Sequence, residues 1–252
     1  MSNQHATSII VSGASGRMGA RLCELALDDP RANLMGAVAH GASPSVGRVL
    51  HTGKNGHSAS IVRDFPAQRA DVVIDFSTDL GAQIAIAYAI KHRSALLVGT
   101  TGLSERTLSD LHDAAEKISV LVAPNTSLGV AALSDVAARL ARTLGVDFRC
   151  SIVETHHIHK KDSPSGTALR LARVIRDGGG QLPENQVFSI RAGDVVGEHI
   201  IRFCGPGEVL ELTHRATSRD LFARGAMRAA LWLADRPAGV YTVEDALGLG
   251  PK

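Results

Sequence analysis

The sequence has 252 residues, of which 44% are hydrophobic and 21% charged, values typical of a folded protein of one or two domains. The formal net charge of +2 gives no general attraction to nucleic acid or to a membrane surface. Apolar runs are shorter than the roughly 18 residues needed to span a bilayer, and the N-terminal residues lack a secretory signal pattern. Together with three widely separated cysteines, these features lead us to expect a cytoplasmic protein without nucleic-acid or membrane partners.

The first half of the chain alternates short apolar or β-branched runs with amphipathic helical patterns, which is typical of βαβ units. The predicted strands are 8–12, 34–39, 72–76, 95–98 and 120–123, and the predicted helices are 17–27, 81–92 and 105–117. This order predicts an α/β fold with a doubly wound, Rossmann-type parallel sheet, in which ligands bind at the carboxyl ends of the strands.

After Asn125 the pattern changes to long helices separated from a run of strands. The predicted helices are 128–144, 167–176 and 219–234, and the predicted strands are 148–154, 187–191, 199–203 and 210–215. Such segregation predicts an α+β domain with a mixed sheet. We therefore expect a first domain at 1–126 and a second at 127–236, with 237–252 returning to complete the first.

Three glycines, Gly13, Gly16 and Gly19, follow the first predicted strand. At a strand-to-helix turn, the first permits a tight turn, the second lets the backbone approach a pyrophosphate, and the third allows close packing of helix on sheet. The spacing is G-x-x-G-x-x-G instead of the strict G-x-G-x-x-G, but its position after the first strand of an alternating series predicts a dinucleotide site.

The carboxylate that usually binds the adenosine ribose, about 20 residues further on, is missing from this sequence. No Asp or Glu occurs from Pro30 through Arg63. Because a carboxylate there would repel a 2′-phosphate, its absence permits NADP. Cations in this span, such as Arg48 and Lys54, are equally consistent with solvated loop charges.

The segment ETHHIHKKDSPSGT at 154–167 contains three histidines and two lysines within six residues. Histidine exchanges protons near neutrality, and a lysine among other cations can become a proton donor. Residues 164–167 open the next predicted helix, whose free N–H groups favour an anion. The segment therefore predicts a pocket for an anionic substrate that receives a proton.

Two other chemistries use the same residue types as this segment. A metal site would use His156, His157, His159 and Asp162, but the flanking lysines would repel a cation and no HExxH motif is present. A serine hydrolase would need a GxSxG turn, which these histidines lack. We expect no metal.

The motifs resemble one known family over essentially the whole chain. The matching strings are VSGASGRMG at 11–19, DFS at 75–77, VGTTG at 98–102, APN at 123–125, residues 154–169, RAGDVVGEH at 191–199, GE at 207–208, TH at 213–214 and FARGAMRAALWL at 222–233. They resemble bacterial 4-hydroxy-tetrahydrodipicolinate reductases, also called dihydrodipicolinate reductases, of diaminopimelate and lysine biosynthesis. The string HHxHKxDxPSGTA is highly specific.

The resemblance implies a nucleotide domain followed by a substrate-binding and tetramerisation domain, and reduction of a cyclic dicarboxylate by NADPH or NADH. His156 resembles the catalytic acid/base and Lys160 the proton donor. The residues that resemble the substrate contacts are His157, Ser165, Gly166 and Thr167. Those that resemble the cofactor loops are Gly13, Ala14, Ser15, Gly16, Arg17, Met18, His40, Gly99, Thr100, Thr101, Ala123, Pro124, Asn125 and Thr126.

The sequence departs from the family pattern at two places. Ala39 and His40 stand where many members carry Glu and then Arg, so the family's contact to the adenosine ribose does not transfer. Thr126 stands where an aromatic residue often follows the asparagine, and we expect this to loosen packing at that loop.

Two competing functions remain open beside this reading. One is a reductase of the same fold acting on a different anionic carbonyl or imine compound, which would turn over simple keto acids. The other is an NAD(P)H-sensing module without turnover, which would bind the nucleotide and tolerate loss of Lys160.

Overall fold

The computed structural model describes residues 6–39, 41, 43–51 and 58–249. The strands are β1 (Thr7–Ser12), β2 (Ala32–Val38), β3 (Val49–His51), β4 (Ser58–Val62), β5 (Val72–Asp75), β6 (Ala95–Val98), β7 (Ser119–Val122), β8 (Arg149–His156), β9 (Val187–Arg191), β10 (Gly197–Gly205), β11 (Glu208–Ala216) and β12 (Gly239–Tyr241). The helices are α1 (Arg17–Asp28), α2 (Asp79–His92), α3 (Glu105–Ala114), α4 (Leu128–Leu144), α5 (Gly166–Asp177), α6 (Asp220–Leu233) and α7 (Val243–Ala246).

The described residues divide into two units. One contains the described residues up to Thr126 together with those from Phe222 onward, and the other contains Ser127–Leu221. The α/β fold class is confirmed. Within the described residues, no helix combines the length and the apolar character needed to cross a membrane.

The first unit is built on an eight-stranded sheet in the order β12-β7-β6-β5-β1-β2-β4-β3. All neighbouring strands are parallel except β3 and β4, which are antiparallel. The five strands expected from the sequence form the middle of this sheet. Their side chains are largely buried, because helices cover both faces of a doubly wound sheet.

Three strands of this sheet, β3, β4 and β12, were not predicted from the sequence. The strands β3 and β12 have three residues each, and β4 has the sequence SASIV with a single buried residue, Ile61. β12 and β3 form the two edges of the sheet, β4 lies next to β3, and all three segments carry little apolar periodicity. Their strand conformation depends on pairing with neighbours that are distant in the sequence.

The chain reverses its direction across the sheet at β1, which lies between β2 and β5. Such a switch point opens a crevice at the carboxyl ends of the two strands. Gly13 follows β1 there with a φ of 85°, and a Cβ on it would lie 2.2 Å from the Phe76 carbonyl oxygen. A Cβ on Gly19, in α1, would lie 2.1 Å from the Gly13 carbonyl oxygen. Both positions therefore require glycine.

The second unit contains a four-stranded sheet in the order β11-β10-β8-β9. The strands β8 and β9 are parallel, whereas β10 is antiparallel to both β8 and β11. This is the mixed sheet that the sequence predicted. Helices α4 and α5 cover one face, where Ile152, Leu171, Ile201 and Phe203 are fully buried.

The return to the first unit begins at Phe222, and not at residue 237 as expected from the sequence. Helix α6 therefore belongs mainly to the first unit. Two hydrogen bonds hold its ends there: Thr126 Oγ1 donates to the Phe222 carbonyl at 2.7 Å, and Ser119 Oγ donates to the Leu233 carbonyl at 3.2 Å. The sequence shows an amphipathic helix at this place but not the surface on which it packs.

We predict that Gly19→Ala lowers the stability of the first unit, because the added Cβ would overlap backbone atoms that cannot move independently. Overpacking of this kind costs about 1–3 kcal/mol, which corresponds to a fall in Tm of roughly 2–12 °C for a chain of this size. Thermal denaturation followed by circular dichroism measures the effect.

Gly166→Ala is the matched control for stability. Gly166 is the first residue of α5, and no atom lies within 4 Å of the position that its Cβ would take. The control should keep the wild-type Tm. An equal fall in Tm for the two variants would contradict the packing role of Gly19.

Candidate active site

Two cavities lie at the carboxyl ends of the strands of the first unit. One, of about 420 Å³, is lined by Gly16, Arg17, Met18, Phe76, Ser77, Gly99, Thr100, Thr101, Pro124, Thr126 and Phe222. The other, of about 590 Å³, is lined by Ser12, Gly13, Ser15, Gly16, Val38, Ala39, Gly41, Arg63, Asp64, Phe65, Phe76, Ser77, Thr78, Gly81 and Ile84. The structure thus brings most of the cofactor residues expected from the sequence to these two cavities.

Four of the expected cofactor residues do not line these cavities or cannot be placed. Ala14 and Ala123 are buried, and Asn125 is partly buried. The side chains of Ala14 and Ala123 therefore pack in the interior of the first unit, and neither residue lines the cavities. His40 lies outside the described residues.

The N-terminus of α1 faces the glycine loop. Gly16 occupies the N-cap position, so no side chain caps the helix, and its first turn contains no acidic residue. The free N–H groups and the helix dipole at such an end favour an anion. Together with the absence of a Cβ at Gly13 and Gly16, this geometry fits the pyrophosphate of a dinucleotide.

Asp75 connects two of the loops that line the cavities. This fully buried carboxylate accepts hydrogen bonds of 2.6 Å from Ser77 Oγ and from Thr100 Oγ1, and Thr100 Oγ1 accepts one of 2.8 Å from Ser77 N. Burial raises the pKa of Asp75, although the hydrogen bonds from Ser12, Ser77 and Thr100 oppose this effect. Sequence reasoning missed this role. The available signal was that an acidic residue, Asp75, ends an apolar strand.

The expectation that Thr126 loosens its loop is wrong. Thr126 is only 1% exposed, and its hydroxyl donates the hydrogen bond to the Phe222 carbonyl described above. Phe222 of α6 lines the same cavity as Thr126 and Pro124. A small hydroxyl residue is therefore well packed here.

In the second unit, His156 ends strand β8 and lies on the same face as Glu154, since side chains alternate along a strand. His156 Nδ1 is hydrogen-bonded to Glu154 Oε2. Glu154 is fully buried and accepts two further hydrogen bonds from the guanidinium of Arg191, at 2.9 and 3.0 Å. Arg191 is the β9 residue directly paired with His156.

The Glu154–Arg191 pair also holds the segment after β8 in place. Ser165 N donates to Glu154 Oε1 at 3.1 Å, and Arg191 donates to the backbone carbonyls of Lys160 and Asp162. The loop that carries Lys160 and the start of α5 are therefore attached to one buried carboxylate and its cation. Sequence reasoning missed Arg191, because 35 residues separate it from His156.

Protonation at this site follows from burial and charge. Burial alone would raise the pKa of Glu154, but hydrogen bonds from Arg191, Ser189, His156 and Ser165 lower it to about 2. Burial lowers the pKa of His156, and this effect outweighs the attraction of Glu154 for the imidazolium. Near neutral pH the carboxylate only accepts hydrogen bonds, so Nδ1 of neutral His156 carries the hydrogen and Nε2 is free to accept a proton.

The remaining residues expected in the substrate site lie along the same segment. Lys160 Nζ forms an ion pair of 2.8 Å with Asp162 Oδ1. Ser165 is buried and caps α5 by accepting a hydrogen bond of 3.2 Å from Ala168 N. Gly166 is exposed, whereas Thr167 and His157 are partly buried. Lys160 and the N-terminus of α5 therefore both belong to the segment that directly follows His156.

Two further histidines extend this site and were not predicted. His199 on β10 is 3% exposed, and its ring lies 5.3 Å from that of His156 and 6.4 Å from that of His214 on β11. Burial, together with the charges of the other two histidines, lowers the pKa of His199 to about 4. The signal available in the sequence was the strings GEH and TH, which matched the family without an assigned role.

Among the described residues, no group of three or more His, Cys, Asp or Glu side chains could hold a metal ion. His157 and His159, which the metal alternative required beside His156, have ring centroids 6.3 Å apart. His156 instead uses Nδ1 for Glu154.

The two units define a class of enzyme. The first is a doubly wound nucleotide-binding unit with a glycine loop, and the second carries a neutral histidine, a lysine and a helix N-terminus suited to an anion. An oxidoreductase that uses a pyridine nucleotide has this combination of parts.

Comparison with known proteins gives the family. Residues 7–126 match the family model described as dihydrodipicolinate reductase, N-terminus, and residues 129–247 match the one described as its C-terminus. The chain therefore belongs to the dihydrodipicolinate reductase family.

Named relatives and solved structures agree with this assignment. The chain is 46% identical to a 4-hydroxy-tetrahydrodipicolinate reductase from Xanthomonas euvesicatoria, with 95% of this chain and 97% of that protein aligned. It is 40% identical to one from Anaeromyxobacter dehalogenans, with 96% and 98% aligned. A dipicolinate-bound dihydrodipicolinate reductase from Paenisporosarcina sp. TG-14 shares the fold, with a TM-score of 0.76, 19% identity and coverage of 94% and 98%.

We predict that Arg191→Met destabilises the second unit by about 3–5 kcal/mol, because it leaves a buried carboxylate without its cation. The double variant Glu154→Gln/Arg191→Met should lose less than the sum of the two single losses. Urea denaturation of the four proteins in this cycle measures the coupling. Additive losses would show that the two side chains do not depend on each other.

The same carboxylate should make stability depend on pH. Because the pKa of Glu154 is lowered from 4.5 to about 2 in the folded protein, its contribution is present above about pH 4.5 and decreases as the pH falls towards 2. The urea midpoint of Glu154→Gln should therefore vary less with pH in this range than that of the wild type. Equal slopes would contradict the assignment.

Proposed function

We propose that this chain reduces 4-hydroxy-tetrahydrodipicolinate to tetrahydrodipicolinate with NADPH or NADH, as a step in diaminopimelate and lysine biosynthesis. The observation that carries the proposal is the arrangement of His156, Glu154 and Arg191 beside the Lys160 loop and the start of α5. The names of relatives that are 40–46% identical over nearly the whole chain support the choice of substrate.

The residues around the two cavities of the first unit fit the parts of a pyridine dinucleotide. The glycine loop from Gly13 to Met18 would hold the pyrophosphate, and the loops Gly99–Thr101 and Ala123–Thr126 would hold the nicotinamide end. When bound, the nicotinamide supplies a hydride to an electron-poor ring carbon of the substrate.

The start of α5 would hold a carboxylate of the substrate. Ser165 presents this helix end, Gly166 leaves open space above the backbone, and Thr167 adds a hydroxyl donor. The dipole of α5 favours a negative charge at this end of the helix. The cations of Lys160 and, when protonated, His157 are suited to the second carboxylate of a cyclic dicarboxylate.

Lys160 and His156 would carry out the proton transfer. Replacing the 4-hydroxyl group by hydrogen requires one hydride and one proton, and the oxygen leaves as water. Lys160 is the proton donor, since its ammonium group carries three donors on a flexible stem. Neutral His156 would accept a proton from solvent at Nε2 and pass it on to the site, so that the proton consumed in the reaction is replaced. Glu154 fixes the tautomer of His156 through Nδ1.

We also propose that the protein is a cytoplasmic homotetramer. Its proposed partner is the small-molecule substrate, and we propose no nucleic-acid or membrane partner. Support for self-association comes from the face of the second sheet opposite to α4 and α5. Phe188, Ile190 and Val209 on that face are 46%, 46% and 62% exposed, and large exposed apolar side chains on one face favour association. The described cysteines are unpaired, which is consistent with a reducing compartment.

We predict that His156→Gln and Lys160→Ala each lower kcat by about 10²- to 10⁴-fold, the usual contribution of a positioned acid or base. Affinity for NADPH should be unchanged, because both residues belong to the second unit. The measurement is NADPH oxidation with enzymatically generated substrate, with nucleotide binding titrated separately.

Lys161→Ala is the matched control for these variants, since Lys161 is exposed and has no assigned role. A variant of His156 or Lys160 that kept more than about half of the wild-type kcat would remove that residue from the mechanism. Turnover of simple keto acids, or nucleotide binding without any turnover, would contradict the proposed function itself.

We also predict that NADPH is used at least as well as NADH, because the sequence from Pro30 to Arg63 contains no carboxylate that could bind a free 2′-hydroxyl group. Initial rates with each nucleotide at saturating substrate give the two KM values. A KM for NADPH more than about tenfold above that for NADH, a difference of ~1.4 kcal/mol, would overturn this expectation.

A further inference from the structure

We propose that Arg63, at the end of the strand next to β2 in the sheet, binds the 2′-phosphate of NADPH. The inference rests on the proposed function, because it assumes that a pyridine dinucleotide occupies the first unit. It concerns the residue that directly follows β4, a strand that sequence reasoning did not predict.

The backbone places Arg63 at the carboxyl end of β2. Strand β4 is parallel to β2, with Ala37 opposite Ile61 and Val38 opposite Val62. Ala39 N donates a hydrogen bond of 2.9 Å to the Val62 carbonyl, so the two strands end together. Arg63 is the first residue after β4 and therefore lies level with the segment that follows β2.

The side chain of Arg63 extends towards that segment. A Cβ on Gly41 would lie 3.3 Å from both Cγ and Cδ of Arg63. Arg63 also lines the cavity of about 590 Å³ that includes the glycine loop residues Gly13 and Ser15. In doubly wound folds, the adenosine ribose binds beside the residues that follow the second strand. The guanidinium is therefore available where a 2′-phosphate would be.

The charge of Arg63 is not used elsewhere in the described part of the chain. No hydrogen bond or ion pair joins it to another described residue, and its side chain is exposed. Arginine binds phosphate through two parallel N–H groups, which a water-exposed lysine cannot do. A phosphate would thus give this side chain a bidentate partner.

Asp64 is the competing residue, because it lines the same cavity and a carboxylate favours a free 2′-hydroxyl group. Asp64 also borders a second cavity along β2 and β4, formed by residues 34–36 and 58–60, which Arg63 does not line. Asp64 therefore lies between two cavities, whereas Arg63 faces the one with the glycine loop. This difference favours a phosphate over a hydroxyl group as the feature that is recognised.

The test is to titrate NADPH, NADH and 2′,5′-ADP against the wild type and against Arg63→Gln, Arg63→Lys and Asp64→Asn, by calorimetry. Arg69→Gln is the matched control, since Arg69 is exposed in the same segment but does not line either cavity. We expect Arg63→Gln to weaken binding of NADPH and of 2′,5′-ADP about tenfold or more, the effect of losing hydrogen bonds to a charged group. NADH affinity should change less than twofold, and Arg63→Lys should lose less than Arg63→Gln.

Other outcomes decide against the inference. Unchanged NADPH affinity in Arg63→Gln, or equal weakening of NADPH and NADH, would overturn it. Weaker NADH binding in Asp64→Asn with no effect of Arg63→Gln on NADPH would assign recognition to Asp64. If the wild type bound neither nucleotide, the proposed function would fail, and this result is distinct from a failure of Arg63 alone.

Discussion

Glu154 is fully buried in the second unit, and the cost of burying its charge makes the parts of the substrate site depend on one another. An isolated carboxylate would be strongly unfavourable there. It is tolerated because Arg191, His156 and Ser165 N all donate to it. Each donor comes from a different element, so satisfying one charge aligns β8, β9 and the start of α5. The positions of the imidazole and of the helix end are thus consequences of the same requirement.

The first unit also contains a buried, hydrogen-bonded carboxylate, Asp75, but its pKa shifts in the opposite direction to that of Glu154. Asp75 is also buried at the carboxyl end of a strand, and hydroxyl groups from two loops donate to it. No cation accompanies it in its hydrogen bonds, so burial raises the pKa of Asp75, whereas the pKa of Glu154 is lowered beside Arg191. In both units a buried carboxylate fixes segments that belong to a proposed ligand site. Only in the second does it also set the tautomer of a titrating side chain.

The sequence predicted those features that depend on local pattern. The alternation of strands and helices, the glycine turn at Gly13 and the segment from Glu154 to Thr167 all lie within short windows. The role of Arg191, the strands β3 and β4, and the return of the chain at Phe222 depend on contacts between distant segments, which no short window of sequence contains. Thr126 shows the limit of comparison by position, because its packing depends on a hydrogen bond to Phe222, which is 96 residues away in the sequence.

Long-range pairing also affects how nucleotide preference can be inferred from sequence. The parallel strands β2 and β4 are neighbours and end side by side, so the residues that follow β4 lie next to those that follow β2. Reading only the residues after β2, Ala39 and His40, leaves out half of this edge. A charged residue at the end of either of two adjacent strands can therefore act on the same part of a ligand. In this chain the absence of an acidic residue after β2 and the position of Arg63 after β4 therefore concern the same edge of the sheet.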